Sequence, residues 1–219
     1  EDPDVGDTGS DATDSSFWES VTTISMTSSP PIADASWCDG MWGGQGVRSY
    51  EGRSCWVQDS DWNSLWIPNP IAEGVANYAV SVDLYLPSGN RGGEFGINRT
   101  KGSPSYPGAC NHSSGGLVLS YSQTRCPEGG NCLTISGGDE THLSIEGRTD
   151  LFDRWVTMRF EVRDADGRVQ LWIDDALETT FYEDDDLLWG PYVKFNANGV
   201  AYSLSPNLGI SNLTFSMTD

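Results

Sequence analysis

The chain has 219 residues, of which 12 are basic and 32 acidic, giving a formal net charge of -20 and a hydrophobic share of 37%. Nucleic acid and anionic membrane surfaces are excluded as natural partners, because binding either one relies on Lys and Arg meeting phosphates. The length suits one large domain or two small ones. No apolar run approaches the roughly 20 residues that a helix needs to span a bilayer, and no basic-then-apolar signal segment opens the sequence, so a soluble, already processed chain is expected.

Residues 1–16 hold Glu1, Asp2, Asp4, Asp7, Asp11 and Asp14 among Gly, Ser, Thr and Pro, with no base. Such a segment cannot bury enough apolar surface to offset the entropy of ordering it, and it reads as an acidic linker or tail. From Phe17 the pattern changes to short alternating runs bounded by Gly, Pro, Asn and Asp, which is the signature of strands and turns. Strand-like runs begin at Trp18, Val47, Tyr78, Glu94, Leu117, Leu133, His142, Trp155, Val169, Leu177, Tyr192 and Leu208. No stretch holds a helical period. In the run from Trp155, the residues Val156, Met158, Phe160 and Val162 are apolar while Thr157, Arg159, Glu161 and Arg163 are polar, so one face covers a core and the other meets water or ligand.

Asp166-Gly167 then turns the chain into the run from Arg168 to Ile173, since Asp-Gly tolerates the positive backbone angles of a tight hairpin, and Asp174-Asp175 opens a second turn. About a dozen short strands without helices predict one all-β domain over residues 17–219, an antiparallel two-sheet sandwich. The Gly-, Pro- and Ser-rich stretch from Lys101 to Gly116 reads as a surface loop. Five cysteines, Cys38, Cys55, Cys110, Cys126 and Cys132, form no CxxC pair. They suit an exported, oxidised protein better than a zinc site, with Cys38 bridged to Cys55, two of the later three bridged, and one thiol free.

The strand Arg154-Trp155-Val156-Thr157-Met158-Arg159-Phe160-Glu161-Val162, the Asp-Gly hairpin, the strand Val169-Gln170-Leu171-Trp172-Ile173-Asp174-Asp175 and the closing strand Leu208 to Phe215 resemble the concanavalin A-like lectin/glucanase superfamily. The resemblance covers about a third of the chain and implies a jelly-roll sandwich; it specifies fold more than function. Asp174-Asp175 departs from the Asp-Gly pair usual at that place. Members often hold a structural calcium between terminal strands, and the acidic turns at Asp164–Gly167, Asp174-Asp175 and Glu183–Asp186 supply the oxygens such an ion prefers. No cofactor is otherwise required.

Nine tryptophans are the most informative residues, with Trp37, Trp42, Trp56, Trp62 and Trp66 falling among Gly, Ser, Asp and Asn. Indole faces stack on the C–H faces of pyranose rings while neighbouring polar groups bond the hydroxyls. Trp155 and Trp172 are expected in the core. The leading reading is an exported or cell-surface carbohydrate-binding, lectin-like module, tethered through its acidic N-terminal linker. Trp37, Trp42, Trp62, Trp66 and Tyr192 would stack on a glycan, with Arg48, Asp61 and Arg91 as polar contacts.

The E-x-D-x-x-E strand motif of retaining laminarinase-type members is absent, Glu161 runs into a turn, and Glu94 has no obvious partner, which disfavours glycoside hydrolysis. Gly190-Pro191-Tyr192-Val193-Lys194-Phe195 resembles the late Tyr-x-Lys strand of jelly-roll polysaccharide lyases. That likeness makes Tyr192, Lys194 and His112 the candidate catalytic residues of an alternative lyase reading. Tyr202 lies too far along for the family pattern, no Gln-x-His strand exists, and His142 stands alone. A third alternative is a non-catalytic structural or adhesive spacer. Serine hydrolase, cysteine hydrolase and nucleotide-binding readings lack their signatures.

Overall fold

The computed structural model describes residues 18–38, 44–59, 63–88, 92–98, 116–122, 132–137, 140–146, 148–183, 188–197 and 208–218. The acidic segment 1–16 and most of the expected loop from Lys101 lie outside them. The strands are β1 Ser20–Ile24, β2 Ser36–Cys38, β3 Gln45–Tyr50, β4 Arg53–Gln58, β5 Asn63–Pro68, β6 Asn77–Tyr85, β7 Gly92–Asn98 and β8 Gly116–Ser122. They continue with β9 Cys132–Gly137, β10 Glu140–Glu146, β11 Trp155–Arg163, β12 Arg168–Ile173, β13 Ala176–Tyr182, β14 Tyr192–Ala197 and β15 Leu208–Thr218. Helical structure among the described residues is limited to two short 3₁₀ turns, Thr149–Leu151 and Asp164–Asp166.

Two antiparallel sheets result. The eight-stranded sheet runs β13-β12-β11-β6-β15-β4-β3, with β1 also paired to β15, and the seven-stranded sheet runs β10-β9-β8-β7-β14-β5-β2. The period-2 alternation of each strand sends one set of side chains between the sheets. Val156, Met158, Phe160 and Val162 of β11 meet Phe95, Ile97, Val193 and Phe195 of the other sheet in one fully buried cluster. The ring of Phe95 lies 5.4 Å from Phe160 and 5.5 Å from Phe195, centroid to centroid. Each fully buried side chain of this kind contributes about 1.5–3 kcal/mol. Gln45 closes one end: its carbonyl oxygen accepts from Trp56 Nε1 (3.2 Å) and Gln58 Nε2 (3.0 Å), and its own Nε2 donates to the Ser64 carbonyl (3.1 Å).

The turns follow the local chemistry. The β11–β12 turn ends on Gly167 in the left-handed region (φ 69°), where an added Cβ would strike the Glu183 carbonyl. Asp174 and Asp175 both take positive φ between β12 and β13, which short Asx side chains tolerate. In β15 a bulge between Ser211 and Thr214, with Asn212 at φ 47°, inserts one residue against β6. Ile210 faces inward before the bulge and Leu213 and Phe215 after it; without the extra residue the later apolar set would turn to solvent.

The expected strand runs all coincide with strands beginning within two residues of them. β2, β4 and β5 were not expected, and they carry Trp37, Trp56 and Trp66 of the Trp-rich stretch. β4 and β5 lack polar/apolar alternation because both of their faces are largely covered: every residue of β5 up to Ile67 is buried, Asn63 and Ser64 included. The expected Cys38–Cys55 bridge is also corrected. Cys55 is a free, buried thiol on β4 of one sheet, while Cys38 belongs to β2 of the other. Cys110 and Cys126 lie outside the described residues. Burial holds the Cys55 thiol above its ordinary pKa, which keeps it protonated and unreactive. Native protein treated with iodoacetamide should leave Cys55 unmodified, and the same protein unfolded without reductant should carry the label there; peptide mapping checks both, and a Cys38–Cys55 linked peptide would contradict the free thiol.

Candidate functional site on the outer face of the seven-stranded sheet

β7, β14 and β5 lie side by side at the middle of the seven-stranded sheet. Because Phe95, Ile97, Val193, Phe195, Leu65 and Ile67 point into the core, strand alternation sends Glu94 and Gly96, Tyr192, Lys194 and Asn196, and Ser64 and Trp66 to the outer face. Register aligns them in rows. Ser36, Trp66, Lys194 and Gly96 form one row, and Ser64, Asn196 and Glu94 form the next. Trp66 is fully buried and Tyr192 packs on it, apart from the main core.

A charge pair sits across the two rows. Lys194 Nζ is 3.2 Å from Glu94 Oε2, and Asn196 Nδ2 donates to the same oxygen at 3.4 Å. The Lys194 side chain is only 4% exposed, so its ammonium needs a counter-charge to offset lost hydration; the Glu94 side chain keeps 28% of its surface open. Trp66 Nε1 and Ser36 Oγ, neighbours in register, are buried without a hydrogen-bond partner. The face therefore combines a packed aromatic pair with a part-exposed carboxylate acceptor, a carboxamide and buried neutral donors.

Tyr192, Lys194 and Trp66 of the sequence-derived candidates come together here. Trp66 was expected to stack on a glycan and instead lies on β5, covered completely, which corrects its proposed role as an open stacking surface. Trp37 stands on the edge strand β2, in register with the inward-facing Leu65. It is 36% exposed and meets Trp56 edge-on at 5.4 Å, so its main work is closing the sandwich edge. Arg48 is on β3 of the opposite sheet, paired with Asp59, and is not at this face. Trp42, Asp61, Trp62, Arg91 and His112 lie outside the described residues, and of His142 only its place on β10 is described. Glu94, read from sequence as lacking a partner, has one in Lys194. The signal was present as two lone opposite charges, each flanked by apolar residues on a strand.

The outer face of the eight-stranded sheet is built differently. Arg53 lies 4.4 Å over the Trp155 ring and bonds Asp83 at 2.7 Å; Asp83 also accepts from Thr157 and Asn212. Tyr50, Tyr85 and Trp155 pack over Gly209, where an added Cβ would stand 3.1–3.2 Å from each. Trp155 and Tyr85 thus belong to a cover on this face rather than to the inter-sheet core. Further along, Glu161 is 2.9 Å from Arg159, whose guanidinium sits 5.0 Å from the Trp172 ring centroid. Glu161 and Glu94 are on opposite faces of the sandwich and cannot act as a carboxylate pair on one bond.

The calcium implied by resemblance finds no fitting donor set among the described residues, where no three His, Cys, Asp or Glu side chains gather. Asp166 is held by Arg163, and Asp174 by Arg154 at 2.6 Å.

Burial raises the Glu161 carboxyl above its ordinary pKa, with Arg159 partly opposing. Hydrogen bonds from Ser88, including the 2.8 Å bond from its backbone N–H, lower that of Asp153. A raised carboxyl contributes stability below its unfolded pKa that is lost as pH climbs; a lowered one contributes stability above its unfolded pKa that is lost in acid. Glu161→Gln should therefore gain on the wild type as pH rises above about 4, and Asp153→Asn should be the less stable of its pair above about pH 4 with the deficit closing as pH falls below that, both read from denaturant midpoints across pH. At the site itself, Glu94→Gln takes a carboxylate away from a buried ammonium and should cost about 1–3 kcal/mol, more than Lys194→Met, which leaves a part-exposed carboxylate; urea unfolding of the two variants at neutral pH ranks them.

No protein-family model matches the sequence and no curated protein matches it. Solved structures do. The potassium-bound Emp46p carbohydrate recognition domain superposes with a TM-score of 0.59 at 12% identity, covering 88% of this chain and 95% of that one. Domain 4 of AbnA, an extracellular GH43 arabinanase from Geobacillus stearothermophilus solved with arabinotriose, gives 0.50 at 14% identity, with 89% and 90% covered. The binding domain of Botulinum Neurotoxin DC, in complex with SialylT, gives 0.55 at 10% identity; 85% of this chain is covered, but it spans only 43% of that domain. At these identities the likeness concerns the fold alone, and with the two antiparallel sheets described above it shows that the chain folds as an antiparallel two-sheet jelly-roll sandwich.

Proposed function

We propose that the chain is a glycan-binding module that holds a saccharide against the outer face of its seven-stranded sheet. The observation that carries this reading is the packing of Tyr192 on Trp66 directly beside the Glu94, Lys194 and Asn196 group. Tyr192, the half-buried member, offers a ring edge or face to sugar C–H groups, with Trp66 fixing its position from below. Glu94 accepts hydroxyl hydrogens through its open surface, and Asn196 orients that carboxylate. Sugar-bearing structures among the neighbours, with arabinotriose and with SialylT, support the class of ligand.

Trp42, Asp61, Trp62 and Arg91 remain proposed contacts. No metal enters the proposal. Export or display at the cell surface, with the acidic residues 1–16 as tether, is part of the same reading, because polysaccharides are met outside the cytoplasm.

A second reading, eliminative cleavage of a polyuronate, is favoured by one observation: Tyr192 and Lys194 share the outer face of β14, as a base and a carboxylate-neutralising cation require. Against it, the Lys194 ammonium is already committed to Glu94. Release of ultraviolet-absorbing unsaturated products, abolished by Tyr192→Phe, would establish cleavage.

For binding, pull-down on insoluble polysaccharides and a glycan array should find a ligand. Tyr192→Ala should then weaken it by about tenfold or more while leaving the unfolding midpoint within about 1 kcal/mol of the wild type. No binding to any glycan would leave the spacer reading standing.

A further inference from the structure

This step rests on the reading of the outer face as a glycan site and names the class of glycan. We infer that the face takes neutral saccharides, built of hexose or pentose units without carboxylate or sulfate, and discriminates against uronates. The seven strands of this sheet carry a single Lys or Arg between them, Lys194. That cation is 4% exposed and its charge is met by Glu94 at 3.2 Å. Among the described residues of this sheet an arriving sugar carboxylate finds no uncompensated positive charge. It meets the open edge of the Glu94 carboxylate instead, within the field of a chain whose net charge is -20.

A hydroxyl group meets the opposite situation. It donates to Glu94 without displacing Lys194, since a carboxylate has lone pairs for several donors. Trp66 Nε1 and Ser36 Oγ, side by side in register and without partners, suit an uncharged oxygen, whether of a sugar hydroxyl or of a water that relays to one. The open polar group among the described residues of the face is thus an anionic acceptor, Glu94, with neutral donors buried behind it, the complement of a hydroxylated ring and not of a uronate.

The test titrates the whole chain with two probe series, neutral gluco-, manno-, xylo- and arabino-oligosaccharides and oligogalacturonate or oligoalginate of matched length, at low and at high salt. Neutral probes are expected to bind at least about tenfold tighter at both salt concentrations. Glu94→Gln, which removes the negative charge that faces the ligand beside Lys194, should narrow that ratio about tenfold. Uronates binding as tightly as neutral sugars would overturn the inference while leaving the glycan site standing. A preference that disappears at high salt would assign discrimination to the overall charge and overturn it too, a result that needs no folded variant. Binding to neither series would overturn the glycan reading itself.

Discussion

The contact of Phe95 with Phe160 across the two sheets, and with Phe195 alongside it, is the constraint on which the outer face depends. Once these rings are fixed inside, strand alternation leaves no freedom over what β7 and β14 present on the other side: Glu94 and Gly96 from one, Lys194 and Asn196 from the other. A one-residue slip of either strand would bring the charge pair into the aromatic layer and push phenylalanines out. The strong apolar core and the position of the polar group are therefore one specification, and the second is obtained without further sequence cost.

Basic residues are scarce in this chain, and most of the described ones are used internally. Arg48, Arg53, Arg148, Arg154, Arg159 and Arg163 each pair with a carboxylate on or beside the eight-stranded sheet. Pairs as exposed as Arg163–Asp166 contribute about 0–1 kcal/mol at most. Their effect is to place positive charge among the acids of one sheet, while the other keeps one buried ammonium. The two outer faces consequently differ in kind: one is a layer of arginines over Trp155 and Trp172, the other a sparsely charged face around Tyr192 and Glu94.

Much of the fold was legible in the sequence because most strands bury one face only. β11, with its inward Val156, Met158, Phe160 and Val162, could be read residue by residue, and the Asp-Gly and Asp-Asp turns marked their hairpins. β4 and β5 were not legible, since burial on both faces erases the period-2 pattern, and buried Gln58, Asn63 and Ser64 imitate loop composition. The same effect misplaced Trp66: an indole among Asn, Ser and Pro resembles a loop aromatic until register sets it beside Lys194. Tyr192 and Lys194 were found from their i, i+2 spacing, but Glu94 could be joined to them only through pairing between strands almost a hundred residues apart, which no local spacing encodes.

β15 is the last strand in chain order, yet it lies in the interior of the eight-stranded sheet, bonded to β6 on one side and to β4 and β1 on the other. Until residues 208–218 leave the ribosome, β6 and β4 have open edges where their common neighbour belongs, and Ile24, Val80 and Trp56 lack Leu213, Phe215 and Ile210 beside them. Sheet closure is thus a long-range event that must await residues 208–218, and nascent intermediates present paired-strand vacancies that invite association with other copies or with holdase chaperones.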